Sequence, residues 1–100
     1  MFILLPMDSD NTQEGRLVPL NDVKKWALIE FDAGEVVEIC YFDTREEIDA
    51  PVEMVIVVSD NEYVWPFIEH QIIVLVAHTQ RSIDEVMESF IFKELHELAY

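Results

Sequence analysis

Two blocks of apolar, β-branched residues limit the folds that this chain can adopt. Residues 52–58 read VEMVIVV and residues 71–78 read QIIVLVAH, with a short segment between them. Continuously apolar runs of this length are typical of strands that are buried on both faces of a parallel sheet. The segment DNEYVWPFIEH joins them and has room for a helix, so we expect the two strands to lie parallel.

A strand and a hairpin are predicted ahead of these blocks. Residues 2–7 (FILLPM) predict a buried strand, with Pro6 near its end because proline has no N–H for the ladder. Residues 24–31 and 35–42 flank a short Asp-Ala-Gly loop in which Gly34 can take a positive φ. The two faces of the first arm are Trp26, Leu28 and Glu30 on one side and Ala27, Ile29 and Phe31 on the other.

Weaker helical signals lie in the connections. The polar link DTREEIDAP allows one helical turn from Arg45 to Ile48 before a proline ends it. Between the two apolar blocks we expect a short helix, with Asp60 or Asn61 as its N-cap and Pro66 in its first turn.

The C-terminal segment from residue 82 to residue 100 carries the clearest helical pattern. Ser82 and Glu85 have the spacing of a capping box, and Asp84 and Glu85 suit the positive end of the helix dipole. Apolar residues then repeat at steps of three and four, which predicts an amphipathic helix. This stripe contains Ile83, Val86, Met87, Phe90, Ile91, Leu95 and Leu98.

Together these patterns predict one α/β domain that spans residues 1–100. Its sheet has five strands and is mixed, with an antiparallel hairpin and parallel strands, and helices pack on it. A chain of 100 residues is the size of one domain, and 51% of its residues are apolar, enough to bury a core.

The order of these segments and their pattern of apolar and polar residues resemble those of the dinitrogenase iron–molybdenum cofactor-binding family. The resemblance rests on ILLPMD, on a loop with Pro19 before the hairpin KKWALIEFDAGEVVEICYF, and on VEMVIVVSD, QIIVLVAH and RSIDEVMESFIFKEL. It implies a ribonuclease-H-like fold, with an iron–molybdenum-type cluster as the cofactor. Family members carry His-Phe-Gly about where this chain has Leu20, Asn21 and Asp22. The family's ligand-binding residues therefore do not carry over.

The balance of charge narrows the classes of partner. Six basic and 21 acidic residues give a net charge of −15. Nucleic acids and anionic membranes bind proteins through Lys and Arg, so we expect neither as a partner. A basic protein partner, a cation, or no partner beyond solvent is compatible with this surface.

Other features of the sequence bear on its compartment. A single cysteine, Cys40, excludes an internal disulfide and indicates a reducing compartment. The start MFILLPMDSD lacks the basic region of a signal peptide, and no apolar run has the length of a spanning helix. We therefore predict a cytoplasmic protein.

Three polar residues follow predicted parallel strands, where ligands of open α/β sheets bind. Asp8, Asp60 and His78 would lie at this edge and could ligate a divalent metal. Residues close to them are Ser59, Asn61 and Thr79. The ribonuclease-H-like shape also allows a nuclease in which Asp8 and Asp60 hold Mg²⁺. The ordinary alternative is that these residues cap helices and turn the chain, and we expect this role for them.

Other candidate residues have similarly ordinary alternatives. The loop DSDNTQE has the alternating oxygens of a calcium loop, in Asp8, Asp10, Thr12 and Glu14, but lacks its glycine and bidentate glutamate. Cys40 has no neighbouring base in the sequence, so we expect a small hydrophobe buried in a strand.

The remaining histidines and aromatic residues also allow two interpretations. We expect His70 at a junction of helix and strand and His96 on the polar side of the last helix. Tyr63 and Trp65 could form a binding platform, but packing in the core or a crevice is the more frequent fate. Phe92 lies off the apolar stripe, and exposure of this residue or of the outer strand of the hairpin would favour a homodimer.

Two classes of function remain open. The first is a non-catalytic binding, carrier or adaptor module that uses its acidic surface for a protein partner. The second is a divalent-metal-dependent hydrolase that uses Asp8, Asp60 and His78. We favour the first class, because no nucleophile and base are recognisable as a pair.

Overall fold

The computed structural model describes residues 1–98, which form one mixed sheet with two α-helices. The strands are β1 (Phe2–Met7), β2 (Lys25–Asp32), β3 (Glu35–Phe42), β4 (Val52–Val57), β5 (Ile73–Val76) and β6 (His96–Glu97). The helices are α1 (Trp65–Glu69) and α2 (Ile83–Ile91), and two short 3-10 turns cover Leu20–Asp22 and Arg45–Glu47. The order across the sheet is β3-β2-β1-β4-β5-β6.

The centre of the sheet is parallel, as the two apolar blocks predict. Strand β4 lies between β1 and β5 and runs parallel to both, with Val55 paired to Leu4 on one side and to Val74 on the other. Ile56 and Val57 are fully buried, one in each of two hydrophobic cores. The mixed α/β prediction is confirmed, with six strands rather than five.

Each face of the sheet carries its own core. One core lies under α2 and contains Ile83, Val86 and Met87, and the other lies under α1 and contains Phe67. In β2 the alternation is as predicted, because Ala27, Ile29 and Phe31 belong to the α2 side and Trp26 and Leu28 to the α1 side. Period-two alternation therefore divides the apolar residues of this strand between the two cores.

The predicted hairpin is confirmed in β2 and β3. Ala33 and Gly34 connect them and both have positive φ, 53° and 80°. Two such residues are typical of the tight hairpin turns whose twist matches that of the strands. The register shifts by one residue at Glu30 and Phe31, so the ladder contains a bulge close to the turn.

The closing helix is shorter than predicted. Helix α2 ends at Ile91. Two residues later Lys93 has a φ of 59°, which is incompatible with a right-handed helix. The chain then returns to the sheet, where the N–H of Leu98 donates to the carbonyl of Val74. Leu95 and Leu98 pack against opposite cores, so they alternate as in a strand instead of sharing a helical face. The segment thereby covers part of the edge of β5, and the predicted continuation through Ala99 and Tyr100 lies outside the described residues.

The start of α1 also differs from the prediction. Its N-cap is Val64, not Asp60 or Asn61. Glu62, which lies between these positions, accepts hydrogen bonds from other segments of the chain. Pro66 lies in the first turn, where backbone N–H groups have no acceptor within the helix, so its missing N–H costs no helical hydrogen bond. The predicted turn at Arg45 is confirmed as a 3-10 turn with a capping box between Thr44 and Glu47.

The capping box of α2 predicts a dependence of stability on pH. The Glu85 N–H donates to the Ser82 hydroxyl over 3.1 Å, and the Ser82 N–H donates to the Glu85 carboxylate over 3.0 Å. Hydrogen bonds from the Ser82 backbone, the Ser82 hydroxyl and the Arg81 backbone lower the pKa of Glu85 below 4.5. The stability that the charged Glu85 contributes is therefore present above 4.5 and is lost as the pH falls through the lowered pKa.

We therefore expect Glu85→Gln to lose less stability than the wild-type chain on acidification. Urea unfolding from neutral pH to below the pKa of Glu85 measures this difference. The matched control is Glu88→Gln, an exposed glutamate of the same helix, which should keep the wild-type dependence. Parallel pH profiles for wild type and Glu85→Gln would contradict the prediction.

Candidate functional site

The carboxyl ends of the parallel strands meet at one edge of the sheet, which we call the carboxyl rim. It consists of the connections 8–24, 58–64 and 77–82, which follow β1, β4 and β5. Asp8, Asp60 and His78 all lie on these connections, as predicted, and all three are exposed.

These three residues do not form a metal centre. Within residues 1–98 no three His, Cys, Asp or Glu side chains are grouped so that they could hold a metal ion. Asp8 has a structural role instead, since its Oδ1 accepts a hydrogen bond of 2.8 Å from the backbone N–H of Arg16 and closes the first loop. Asp8, Asp60 and His78 therefore lie at the same edge of the sheet, but they do not form a three-ligand metal site.

The loop with the spacing of a calcium site is ordered by the chain itself. The Asn11 Oδ1 accepts from the backbone N–H groups of Gln13 and Glu14, both over 2.9 Å. The hydroxyl of Thr12 lies 2.9 Å from the phenol oxygen of Tyr41, which ties the loop to β3. These oxygens turn the chain and anchor it, and Asp8, Asp10 and Glu14 belong to no group of metal-holding side chains among the described residues.

Glu62 is the organising residue of the rim, and the sequence analysis missed it. Its half-buried carboxylate accepts hydrogen bonds from three backbone N–H groups. The donors are Val58 at 2.9 Å, Ser59 at 3.3 Å and, across the rim, Leu20. Glu62 thus fastens the loop after β4 to the 3-10 turn Leu20–Asp22. No local pattern distinguishes it from Asp60 or Asn61, because one of its partners is 42 residues away.

Two aromatic side chains project beside this clamp. Tyr63 is 73% exposed and Trp65 is 49% exposed, while Val64 between them is buried. Neither aromatic belongs to the core, which Val64 and Phe67 fill on this side, so packing in the core is excluded for both. We call Tyr63 and Trp65 the aromatic rim.

A basic side chain of the protein already stacks on aromatic rings close to this surface. The Arg45 guanidinium carbon lies 4.5 Å from the ring centre of Phe67 and 5.8 Å from that of Trp26. The ring centres of Trp26 and Phe67 are themselves 6.4 Å apart. This face of the sheet therefore combines aromatic rings with a cation, an arrangement that is attractive through the quadrupole of the rings.

Cys40 is half-buried in β3 and not fully buried as predicted. Burial raises the pKa of its thiol, and the charge and hydrogen bonding of Glu38 and the charge of Glu30 raise it further. The thiol therefore stays protonated at neutral pH, which disfavours both nucleophilic attack and metal ligation. An anionic iron–molybdenum-type cluster does not fit this side chain, because two carboxylates adjoin the one thiol available.

Most of the few cations have internal contacts. Lys25 donates to Asp43, whose hydrogen bond and charge raise the pKa of the lysine. Arg16 lies 3.9 Å from Glu85, and the Arg81 guanidinium donates to the carbonyls of Ala77 and Gln80. The large excess of carboxylates is thus left largely unneutralised at the surface.

The other histidines and a third exposed aromatic residue, Phe92, lie away from the rim. His70 ends α1 at the helix-to-strand junction, as predicted, whereas His96 lies in β6 and not on a helix. Phe92 follows α2 and is 67% exposed, as its position off the apolar stripe predicts. Grooves of about 290 and 240 Å³ flank β6 and share Glu97 in their lining, but neither contains Asp8, Asp60 or His78.

None of the helices in the described part of the chain has the length and apolar character required to cross a membrane.

Comparison with known proteins places the fold among solved structures. No family model and no curated protein sequence matches the chain. A protein of Methanocaldococcus jannaschii, provisionally named a dinitrogenase, has 19% identity and a TM-score of 0.76, over 99% of this chain and 95% of that one. The protein PH0822 has 14% identity and a TM-score of 0.75, over 100% and 97% of the two chains.

At such low identities the likeness shows a shared fold. The chain is thus a small mixed α/β domain of the same architecture as these two proteins. The likeness agrees, at the level of the fold, with the family resemblance that the sequence suggests. The finer description of the fold as ribonuclease-H-like stays a prediction.

Proposed function

We propose that the chain is a non-catalytic binding module that docks a basic protein partner on its aromatic rim. The observation that supports this function is the exposure of Tyr63, on the loop fastened by Glu62, and of Trp65, at the start of α1, in a chain with a net charge of −15. Trp and Tyr are frequent anchors of protein interfaces, so two of them exposed close together in the chain favour a binding surface.

The chemistry of the rim favours a cationic partner. Indole and phenol rings attract ammonium and guanidinium groups to their faces, with Trp the strongest binder. Asp22 and Asp60 are exposed on the two segments that Glu62 joins, so carboxylates accompany the rings. Because Glu62 holds its loop through backbone hydrogen bonds, less conformational entropy is lost when a partner binds.

The proposal includes no catalytic step. The described residues contain no group of side chains that could hold a metal ion, and the raised pKa of Cys40 keeps its thiol protonated. The proposal does not include an iron–molybdenum-type cluster as cargo, because the thiol of Cys40 stays protonated beside two carboxylates. The cytoplasmic location and a homodimer stay predictions.

A titration with a short arginine-rich peptide tests the proposed function. We expect the backbone amides of residues 58–65 and the indole N–H of Trp65 to shift in NMR spectra of the labelled protein. Trp65→Ala should weaken the affinity read from the rim amides about tenfold, because it removes the larger ring. A glutamate-rich peptide of the same length should cause no such shifts.

The control variant is Phe92→Ala, which removes another strongly exposed aromatic ring far from the rim in sequence. Its affinity should stay within about twofold of the wild-type value. Equal affinities for wild type and Trp65→Ala, or shifts confined to residues outside the rim, would show that the aromatic rim is not the docking surface.

A further inference from the structure

The outer edge of β3 is open over its first half. Among residues 1–98, β3 ends the sheet on one side and has only β2 as a neighbour. All four residues from 35 to 38 are exposed, including Val36 at 38% and Val37 at 58%, whereas the second half of the strand is half-buried. We call residues 35–38 the hairpin edge. An open edge presents backbone N–H and C=O groups that another strand can pair with.

Carboxylates are concentrated around this edge. In the ladder between β2 and β3, Glu30 is directly opposite Glu38, and Asp32 is directly opposite Glu35. Like charges in directly opposed positions destabilise a pair of strands. No lysine or arginine occurs between Lys25 and Arg45.

The N-terminal ammonium lies beside these pairs. It donates to the carbonyl of Phe31, between Glu30 and Asp32 in β2, over 3.0 Å and lies 4.0 Å from Glu53. This single positive charge does not balance the four carboxylates of the hairpin. Basic side chains of a partner would add to the compensation of their charge.

We propose that the hairpin edge binds an extended, lysine- or arginine-bearing segment of a partner protein as an added strand. The backbone of β3 supplies the ladder, Val36 and Val37 supply apolar contact, and the four carboxylates select basic side chains. A second copy of this chain is a poor occupant, because pairing two such edges brings Glu35 and Glu38 against equally acidic strands.

This surface is separate from the aromatic rim. Phe2, the first residue of β1, is paired with Glu30, so the hairpin turn lies at the opposite end of β1 from the carboxyl rim. The inference therefore goes beyond the proposed function and does not depend on it. A module with both surfaces would hold its partner, or two partners, at two ends of the same sheet.

A peptide that alternates lysine and valine is the probe for the experiment. We expect it to shift the β3 amides in NMR spectra and to slow their hydrogen exchange. The same peptide with alternate residues N-methylated keeps its charge but loses ladder donors. Its affinity should therefore be lower by about tenfold or more. Equal binding of the two peptides would overturn the proposal, since charge alone would then account for the complex.

A second part of the experiment reverses the charge of two glutamates of the hairpin edge. The double variant Glu35→Lys and Glu38→Lys should bind the peptide at least about tenfold more weakly. It is expected to fold, because each new lysine faces a carboxylate, Asp32 or Glu30, in place of a repulsive neighbour. If it fails to fold, Glu38→Gln replaces it, with a smaller loss of about threefold.

The matched control reverses two exposed glutamates elsewhere, Glu88→Lys and Glu94→Lys, and changes the net charge by the same amount. Its affinity should stay within about twofold of wild type. Equal losses in both double variants, or concentration-dependent dimers formed through β3, would overturn the proposal. Trp65→Ala should bind this peptide with the wild-type affinity. The experiments therefore distinguish a failure of the proposal for the aromatic rim from a failure of the proposal for the hairpin edge.

Discussion

Replacing Ile56 by alanine is expected to lower the free energy of unfolding by about 3 kcal/mol. Ile56 lies in β4, is fully buried, and belongs to the core between the sheet and α2. The substitution removes buried methyl and methylene groups and leaves a cavity that neighbours on both adjacent strands cannot fill without moving. A domain of this size is typically stable by about 5–15 kcal/mol, so the loss is a large share of the total.

Urea unfolding followed by far-ultraviolet circular dichroism measures this loss. The matched control is Ile91→Ala, which makes the same chemical change at the exposed end of α2. There alanine has the higher helix propensity and little buried area is lost, so the change should stay within about 0.5 kcal/mol. Similar losses at the two positions would mean that β4 is not a doubly covered central strand.

Glu62→Ala has the second largest expected effect, a loss of about 2 kcal/mol. Three backbone N–H groups, of Leu20, Val58 and Ser59, lose their acceptor together. A partly buried donor without a partner costs more than the hydrogen bond contributed, and the two loops would no longer be fastened to each other. Thermal or urea unfolding gives the loss, and hydrogen exchange at these three amides should accelerate.

Two other substitutions sharpen this experiment. Asp60→Ala removes an exposed carboxylate from the same loop and should change stability by at most about 0.5 kcal/mol. Glu62→Gln keeps one carbonyl oxygen as an acceptor, so it should recover part of the loss. A Glu62→Ala variant as stable as Asp60→Ala, with unchanged exchange at Leu20, would disprove the clamp.

The clamp also connects stability to the proposed function. Because Glu62 fixes the loop that carries Tyr63 and ends at Trp65, its loss should weaken peptide binding at the rim even in variants that remain folded. Binding at the hairpin edge should be unaffected, since β3 has no contact with this clamp among the described hydrogen bonds.

The likeness to solved structures concerns architecture, and architecture is shared by proteins with unrelated functions. The name dinitrogenase belongs to the Methanocaldococcus protein. In this chain, burial and the carboxylates of Glu38 and Glu30 raise the pKa of the one thiol, that of Cys40. The acidic edge and the exposed aromatic rings are features that favour a protein partner.

The sequence by itself determined the elements whose signals are local and repetitive. The apolar runs at β4 and β5 specified two parallel strands, of which β4 is buried whereas Ile73 of β5 is 43% exposed. The alternation in β2 divided its apolar residues between two cores, and Ser82 with Glu85 marked the start of α2. In each case the residues that carry the signal are within a few positions of each other, so periodicity and capping chemistry suffice.

Only the tertiary structure determined the conformation of residues whose contacts are with distant parts of the chain. Leu95 and Leu98 continue the spacing of a helix, yet they are not helical. The edge of β5 provides a hydrogen-bond acceptor for the backbone of Leu98, and the two leucines pack against different cores. Glu62 is one more acid in a polar loop until folding brings the N–H of Leu20 to it. Contacts between residues far apart in the chain leave no periodic trace, which is why only the folded chain reveals them.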